Sequence, residues 1–356
     1  MTLSIILGTR PEIIKMSPVI RECQRSGIDY FILHTGQHYS YNMDRVFFEE
    51  LKLPEAKYNL EVGSGAHGEQ TGKMLAGIEK VLMKEKPEAV LVQGDTNTVL
   101  AGALAAVKLG IKVGHVEAGL RSYDRRMPEE INRVMADHCS DILFAPTEKC
   151  KETLLGEGIP ESRIHVTGNT IVDAVYQNLK LAKEKNTLEE LDIKPKNYIL
   201  VTAHRQENVD DPVRFANLLK GVEELGEEFN IPVIYPIHPR SKKRVQEFRI
   251  KTDGSIRFID PVEFLDFLNL ESSARLVLTD SGGVQEETCI LGVPCVTLRD
   301  NTERPETIDV GSNMLSGTEP EMMMECAHRM LEKEKDWINP FGDGKAAQRI
   351  VKGMRS

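Results

Sequence analysis

The sequence lacks two features that would mark a membrane or secreted protein. It has no apolar run of about 18 residues, the length that a membrane-spanning helix needs, so we expect no membrane association. The six cysteines form no Cys-x-x-Cys pair and lie mostly in apolar stretches. Such cysteines are typical of buried free thiols in a reducing compartment. We therefore expect a cytoplasmic protein without a structural zinc site.

Several ligand-binding signatures are also missing. There is no Gly-x4-Gly-Lys-Ser/Thr phosphate loop, and no Gly-x-Gly-x-x-Gly follows the first apolar run at residues 3–7. No serine nucleophile elbow, Cys–His pairing or metal-ligand spacing is evident, so we predict neither cofactor nor metal. The net charge of −10 argues against a general nucleic-acid binder, but it allows a small anionic ligand held by local basic groups.

What the sequence does contain is a regular alternation of apolar runs and helix-period stretches. This pattern indicates parallel β-sheets covered by helices on both faces, an α/β fold. The 356 residues suffice for about two domains. We predict two Rossmann-like, doubly wound domains, at residues 1–169 and 170–339. The terminal segment 340–356 predicts a further helix, which would join one of them.

Polar residues directly after the apolar runs are the candidate site residues, because open α/β sheets bind ligands at the carboxyl ends of their strands. Both halves of the chain contribute such residues. We therefore expect a central cleft between two domains that face each other. The residues are Arg10, Asp95, Glu117, His204, His238 and Ser281.

The stretch Ser281-Gly282-Gly283 follows an apolar run and precedes a helix-compatible segment. It would leave backbone N–H groups free at a helix N-terminus, which suits a phosphate, with Glu287 one turn further on to hold sugar hydroxyls. The same residues could be only a tight turn. A valine at Gly282 is expected to obstruct the phosphate and to tolerate a positive φ poorly.

Arg10, Lys15 and Asp95 each allow a functional and a structural interpretation. Arg10 and Lys15 would clamp an anion or cap a helix. Asp95 would cap the next helix or act as an acid or base. Glu117 is unusual at an apolar strand end, and His204 would carry a proton or contact a phosphate.

Taken together, these motifs resemble one family, the non-hydrolysing UDP-N-acetylglucosamine 2-epimerases. The matches run in order over almost the whole chain, which makes the resemblance specific although each match is short. They are GTRPEIIK at 8–15, HTGQHY at 34–39, GDTNT at 94–98, HVEAGLRS at 115–122, PEEINR at 128–133, GNTIVD at 168–173, AHRQEN at 203–208, LTDSGGVQEE at 278–287, RDNTERPE at 299–306 and NPFGDG at 339–344.

The resemblance implies a glycosyltransferase-B type fold, a homodimer and the interconversion of UDP-GlcNAc and UDP-ManNAc without a cofactor. UDP would leave by anti elimination to give 2-acetamidoglucal and then add back. Four residues match positions that the family uses for catalysis: Asp95, Glu117, Glu129 and His204. The residues implied to bind substrate are Arg10, Lys15, Arg133, His238, Phe267, Ser281, Gly282, Gly283, Glu287 and Arg304, with the Ser-Gly-Gly turn on the diphosphate and Glu287 on the ribose.

Two alternatives stay open. The segment at 39–42 departs from the basic and glutamine-rich sequence of members that a second UDP-GlcNAc activates, which argues against such activation here. The same segment leaves open another UDP-2-acetamido sugar as the substrate. A UDP-sugar glycosyltransferase would use the same fold and the same Ser-Gly-Gly turn, but the GTRPE and HVEAGLRS segments argue against it.

Overall fold

The computed structural model describes residues 1–37, 41–252 and 254–355. The end of the HTGQHY match, His38 and Tyr39, therefore lies outside the described residues, as does Ser40. The described chain divides into two compact units. Unit 1 comprises Met1–Gln177 and Phe341–Ser356, and unit 2 comprises Asn178–Pro340.

Unit 1 is built on a seven-stranded sheet in the order β3-β2-β1-β4-β5-β6-β7, with every neighbouring pair parallel. The central strands β1 and β4 are buried along almost their whole length and are mostly apolar, as expected of strands covered on both faces. The strands are β1 Thr2–Leu7, β2 Asp29–His34, β3 Tyr58–Asn59, β4 Ala89–Gln93, β5 Lys112–Val116, β6 Ile142–Ala145 and β7 Ile164–Val166.

Helices connect these strands and cover the sheet. The terminal helix α16 packs against α1 and closes unit 1. Its first turn is held by Asp173, whose carboxylate accepts from Ala346 N at 3.1 Å and Ala347 N at 3.0 Å. The helices are α1 Arg10–Arg25, α2 Tyr41–Glu50, α3 His67–Glu85, α4 Asn97–Lys108, α5 Pro128–Cys139, α6 Glu148–Gly156, α7 Thr170–Lys183 and α16 Ala346–Arg355.

Unit 2 is also built on a parallel sheet, here with six strands in the order β10-β9-β8-β11-β12-β13. Its strands are β8 Ile199–Thr202, β9 Val233–Pro236, β10 Ile256–Ile259, β11 Leu276–Thr279, β12 Cys295–Thr297 and β13 Asn313–Leu315. Its helices are α8 Thr187–Glu190, α9 Gln206–Val209, α10 Pro212–Phe229, α11 Pro239–Glu247, α12 Phe264–Ser273, α13 Gly282–Leu291, α14 Pro305–Asp309 and α15 Pro320–Glu332.

The strand orders confirm the predicted fold class of two doubly wound α/β units. Each sheet has one switch point, where the connections leave in opposite directions and the carboxyl ends of two strands stand side by side. It lies between β1 and β4 in unit 1 and between β8 and β11 in unit 2. Ligands bind at such points in open α/β sheets, because the loops there diverge and leave a crevice.

The boundary between the units, the cysteines and the helix lengths can each be compared with the predictions from the sequence. The division between the units falls inside α7, after Gln177, whereas the sequence pattern placed it before this helix. All six cysteines are free, and five of them are buried, as expected. No helix in the described part of the chain combines the length and apolarity needed to cross a bilayer.

Glu12 joins the loops that follow β1 and β4. Its side chain is buried and accepts hydrogen bonds from Gly8 N at 2.5 Å, Thr9 N at 3.2 Å and Thr96 Oγ at 2.6 Å. Burial raises the pKa of its carboxyl group from about 4.5 to about 7, and the hydrogen bonds only partly oppose this shift. The folded protein therefore binds the proton more tightly than the unfolded chain does.

We expect this carboxyl group to make stability fall as pH rises. Its contribution is complete below pH 4.5 and is lost as pH rises through about 7, which amounts to about 3 kcal/mol. In Glu12→Gln, a neutral isostere keeps the shape of the protonated acid and removes this slope. Urea unfolding between pH 5 and 8 measures the effect, with Glu79→Gln on the exposed side of α3 as control. Parallel curves for wild type and Glu12→Gln would contradict it.

Candidate active site

Glu117 lies at the carboxyl edge of the sheet in unit 1, at the end of the strand next to the switch point. It directly follows β5 and has a φ of +73°, in the left-handed region that costs an L-residue roughly 1–2 kcal/mol. Its backbone is fixed by a hydrogen bond from Glu117 N to Phe144 O at 3.1 Å. A strained backbone at a ligand-binding edge is a feature of functional residues, where the rest of the fold holds a side chain in one direction.

Three side chains hold the Glu117 carboxylate. Lys15 Nζ lies 2.6 Å from Oε1, Gln93 Nε2 donates to Oε2, and Asn169 Nδ2 lies 3.5 Å from Oε1. Only 5% of the Glu117 side chain is exposed, so these partners replace most of its water. Lys15, predicted from its motif to bind the nucleotide sugar, thus contacts this carboxylate.

Asp95 follows β4 beside Glu117 and is oriented by α5. Arg133 Nη2 lies 2.5 Å from Asp95 Oδ2, and Asn132 Nδ2 donates to the Asp95 carbonyl at 2.9 Å. Arg133 also bonds to Glu130 at 2.9 Å. Of the two interpretations for Asp95, helix capping does not describe the structure, because Thr96 rather than Asp95 is the N-cap of α4. The side chain is about a third exposed and is available to a ligand.

The two adjacent glutamates at the start of α5 have different roles. Glu130 is buried, and its carboxylate accepts from Ser122 N, Ser122 Oγ and Tyr123 N at 2.9–3.0 Å, so it anchors the loop after β5. Glu129 is partly exposed and makes no side-chain hydrogen bond among the described residues. Glu130 is thus the structural member of the pair, and Glu129 is the one that remains accessible.

Asp280 organises the switch point of unit 2. It directly follows β11, is fully buried, and accepts from His204 N and Arg205 N at 2.9 Å and from Asn208 Nδ2 at 3.2 Å. His204 Nδ1 lies 3.3 Å from the same carboxylate. About 43% of the His204 side chain is exposed, so the ring is oriented by Asp280 and still open to a ligand.

His238 follows β9 and caps α11. Its Nδ1 accepts from Arg240 N at 3.2 Å, and its ring centre lies 6.0 Å from that of His204. Burial lowers the pKa of His238, and the neighbouring His204 and Arg240 lower it further. A neutral ring suits its capping role, because Nδ1 must be unprotonated to accept.

The Ser-Gly-Gly turn opens α13, with Ser281 as N-cap and Gly282 and Gly283 as the first helical residues. Neither glycine has a positive φ, so the expected strain of a valine at Gly282 is wrong. A Cβ at Gly282 would meet only Glu303 Oε2, at an ordinary 3.8 Å. The described fold therefore does not require glycine there, which favours the phosphate interpretation over the turn interpretation.

The remaining predicted binding residues of unit 2 lie on nearby elements. Arg304 forms an ion pair with buried Glu286 at 2.7 Å. Glu287 lies on α13, about one helical turn after Gly283. Phe267 on α12 packs against the apolar cluster around Tyr198. Arg10, in unit 1, begins α1 with its guanidinium 5.0 Å from the centre of the Phe47 ring.

Three residues that hold the candidates in place were not predicted from the sequence. Gln93 and Asn169 contact Glu117, and Asp280 orients His204. Gln93 ends β4 next to the GDTNT match, and Asp280 directly follows β11 inside LTDSGGVQEE. Asn169 lies three residues after β7, inside GNTIVD. Their position was thus visible, but their partners lie far away in sequence.

Comparison with known proteins identifies relatives over the full length. Residues 21–355 match the family of UDP-N-acetylglucosamine 2-epimerases. A UDP-N-acetylglucosamine 2-epimerase of Methanocaldococcus jannaschii is 59% identical, over 99% of this chain and 98% of its own length. The crystal structure of that enzyme in complex with UDP-GlcNAc and UDP superposes with a TM-score of 0.90, covering 100% of this chain and 99% of that one.

A relative with a different substrate also matches the whole chain. The UDP-2,3-diacetamido-2,3-dideoxy-D-glucuronate 2-epimerase of Pseudomonas aeruginosa is 42% identical, over 99% of this chain and 98% of its own length. Full-length relatives of this type therefore act on more than one UDP-sugar.

Gly119, two residues after Glu117, offers a test of how tightly this edge is packed. It has a φ of +85°, and a Cβ there would lie 2.5 Å from the Cys150 carbonyl oxygen. Gly158 has the same φ and nothing within 4 Å. Gly158→Ala should lose about 1–2 kcal/mol of unfolding free energy, from φ alone. Gly119→Ala should lose about 1–3 kcal/mol more, because backbone must move. Equal losses in urea unfolding would refute the packing argument.

Proposed function

Because the chain belongs to the family of UDP-N-acetylglucosamine 2-epimerases, we propose that it interconverts UDP-GlcNAc and UDP-ManNAc by inverting C2 of the sugar. The observation that carries this proposal is Glu117, which lies at a ligand-binding edge with a strained backbone φ of +73°. Its carboxylate is held by Lys15, Gln93 and Asn169. Asp95 follows the neighbouring strand β4, and the accessible Glu129 lies in the first turn of α5, the helix whose Arg133 holds Asp95. Several carboxylates at one edge suit a reaction that moves protons on both faces of a carbon.

The chemistry explains why a phosphate site must accompany these acids. The C2 proton is not acidic in the intact sugar, since no carbonyl activates it. When the C1–O bond breaks, its electron pair leaves with UDP and positive charge develops at C1. A base then removes the C2 proton, and the C–H electron pair forms the C1–C2 double bond of 2-acetamidoglucal. Addition of UDP to C1, with a proton delivered to the other face of C2, completes the inversion.

We assign the proton transfers to Asp95, Glu117 and Glu129. General acid or base catalysis by a positioned side chain typically contributes 10²–10⁴-fold. Lys15 keeps Glu117 in place through the 2.6 Å ion pair, and Arg133 does the same for Asp95 through its 2.5 Å contact. These two cations therefore orient acids rather than only binding substrate. Arg10 is assigned to the uridine side of the ligand.

We assign the departing diphosphate to unit 2. The first N–H groups of α13, at Ser281, Gly282 and Gly283, would stabilise the charge that develops on UDP, with His204 as a further donor. Glu287 is assigned to the ribose hydroxyls. The assigned supporting contacts to substrate come from His238, Phe267 and Arg304. The protein would act as a homodimer.

A second candidate substrate is a UDP-2-acetamido sugar with other substituents. The observation that favours it is the 42% identity to the Pseudomonas aeruginosa epimerase of UDP-2,3-diacetamido-2,3-dideoxy-D-glucuronate. The chemistry at C1 and C2 would be the same, because only groups remote from the breaking bonds differ. Specificity is then a comparison of kcat/KM values among such sugars.

Incubation in D2O with a panel of UDP-2-acetamido sugars tests both candidates. The substrate should return with deuterium at C2 and with its C2 epimer present, as read by NMR. UDP-GlcNAc is expected to give the highest kcat/KM. A panel in which no sugar acquires deuterium at C2 would rule out epimerisation, and release of free sugar would indicate hydrolysis instead.

Glu117→Gln should lower turnover by about 10²–10⁴-fold while UDP affinity stays close to wild type. The amide keeps the side-chain shape but cannot accept a proton. Glu129→Gln should behave alike. The thermal midpoint of Glu117→Gln should also fall, because Lys15 loses its ion-pair partner. Glu130→Gln, the matched control, should lower the thermal midpoint because Glu130 anchors the loop after β5, but without a comparable loss of turnover. Turnover near wild type would remove Glu117 from the catalytic groups.

Gly282→Val should weaken UDP binding at least about 10-fold, the equivalent of 1.4 kcal/mol, with little change in thermal midpoint. The fold tolerates a side chain at this position, but a phosphate approaching the N–H groups of α13 would collide with it. Gly156→Val, at the end of α6 with open space around it, controls for the substitution itself. Calorimetry that shows unchanged UDP affinity would contradict the phosphate assignment.

A further inference from the structure

His115 is a buried histidine whose two ring nitrogens both contact oxygen atoms. It lies on β5, two residues before Glu117, and only 1% of its side chain is exposed. Nδ1 lies 2.7 Å from Asp137 Oδ1, and Nε2 lies 2.8 Å from the Gly94 carbonyl oxygen. Neither contact belongs to the catalytic or binding assignments made above.

Both oxygen partners of the ring are acceptors. A backbone carbonyl has no proton to donate. Asp137 accepts in addition from Arg121 Nη2 at 2.7 Å and from Gly119 N at 3.1 Å, so it is held as a carboxylate. A neutral imidazole carries one N–H and could satisfy only one of the two contacts. The ring therefore needs both protons, which makes it an imidazolium.

The surroundings balance this buried charge. Burial by itself lowers the pKa of His115, but the Asp137 carboxylate and the Gly94 carbonyl outweigh burial and raise the pKa above its usual value. Arg121 is paired in turn with Glu157, so two cations meet two carboxylates. The charged groups in this network are Asp137 from α5, Arg121 from the loop after β5 and Glu157 after α6. His138 on α5 lies 3.6 Å from Glu157, and Asp95 and Glu117 follow the adjoining strand ends.

The contact at Nε2 fixes the peptide group that joins Gly94 to Asp95. Gly94 has a φ of +87°, and its N–H donates to the Val116 carbonyl at 3.1 Å, so its peptide groups are held on both sides. A Cβ at Gly94 would lie 4.0 Å from Glu117 Oε2, which places this turn against the Glu117 carboxylate. Rotation of the Gly94 carbonyl would therefore reorient Asp95 beside Glu117.

We propose that His115 is a positioning residue that remains an imidazolium at neutral pH and orients Asp95 by holding the Gly94 carbonyl next to Glu117. The orienting part of this inference rests on the proposed epimerase function. The charge state of the ring does not depend on that function. His115 touches no substrate and acts only through the turn that it holds.

The charge state is tested by NMR of the full-length protein with 15N-labelled histidine at pH 8. An ordinary histidine, with a pKa of about 6.5, is neutral at this pH. His115 should show both ring nitrogens protonated, with its signals assigned by their loss in His115→Gln. In Asp137→Asn the ring should become neutral. A wild-type ring with one unprotonated nitrogen would overturn the proposal.

The orienting role is tested by kinetics. His115→Gln should lower kcat on the order of 10²-fold with KM and UDP affinity little changed, because misplaced acids affect the chemical step. His138→Gln, a neighbouring and half-exposed histidine on α5, should retain wild-type turnover. A rise in KM that accounts for the whole loss would overturn the orienting role.

The pH profile separates orientation from a general structural effect. Wild-type kcat should fall at alkaline pH as the ring loses its second proton, and Asp137→Asn should move this fall to lower pH. A fall of kcat at the same pH in both proteins would overturn the proposal. If His115→Gln does not fold, Asp137→Asn still tests the orienting role. If the wild type places no deuterium at C2 of any UDP-sugar, the epimerase function and the orienting role fail together, while NMR still decides the charge state.

Discussion

A buried carboxylate must be surrounded by hydrogen-bond donors, and this requirement shapes both candidate edges of the protein. Asp137 collects donors from His115, Arg121 and Gly119 under the loop after β5. Asp280 collects the N–H groups of two successive residues after β8. In each unit the carboxylate cannot be satisfied unless the loop adopts one conformation. Two of the catalytic candidates, Glu117 after β5 and His204 after β8, lie on the loops that are fixed in this way.

The same logic explains the strain at Glu117. A left-handed φ at a non-glycine residue persists only where surrounding contacts determine it. Glu117 follows β5 directly, and its N–H is bonded to the Phe144 carbonyl. Its carboxylate is held by the side chains of Lys15, Gln93 and Asn169. At Gly282 the reverse holds, since the described fold would accept a side chain there. The backbone strain at Glu117 and the glycine at position 282 both favour a ligand, because the fold itself needs neither of them.

Much of the candidate site was predictable because parallel strands end at a common edge. Asp95, Glu117, His204 and Ser281 all follow strands, and their side chains do lie at the edges of the two sheets. The partners were not predictable, because no local pattern couples Lys15 to Glu117 across 102 residues. Neither did the pattern distinguish Glu129 from Glu130, since both fit a helix start and only packing buries one of them.

The sequence by itself determined the α/β class, the two doubly wound units and the family, because these depend on hydrophobic periodicity and on ordered motifs. Only the tertiary structure decided which carboxylates are held and which are accessible, that His238 caps a helix, and that the terminal helix joins unit 1. The reason is physical. Periodicity acts over a few residues, whereas the ionisation and direction of a buried side chain depend on donors and acceptors that folding brings from distant parts of the chain.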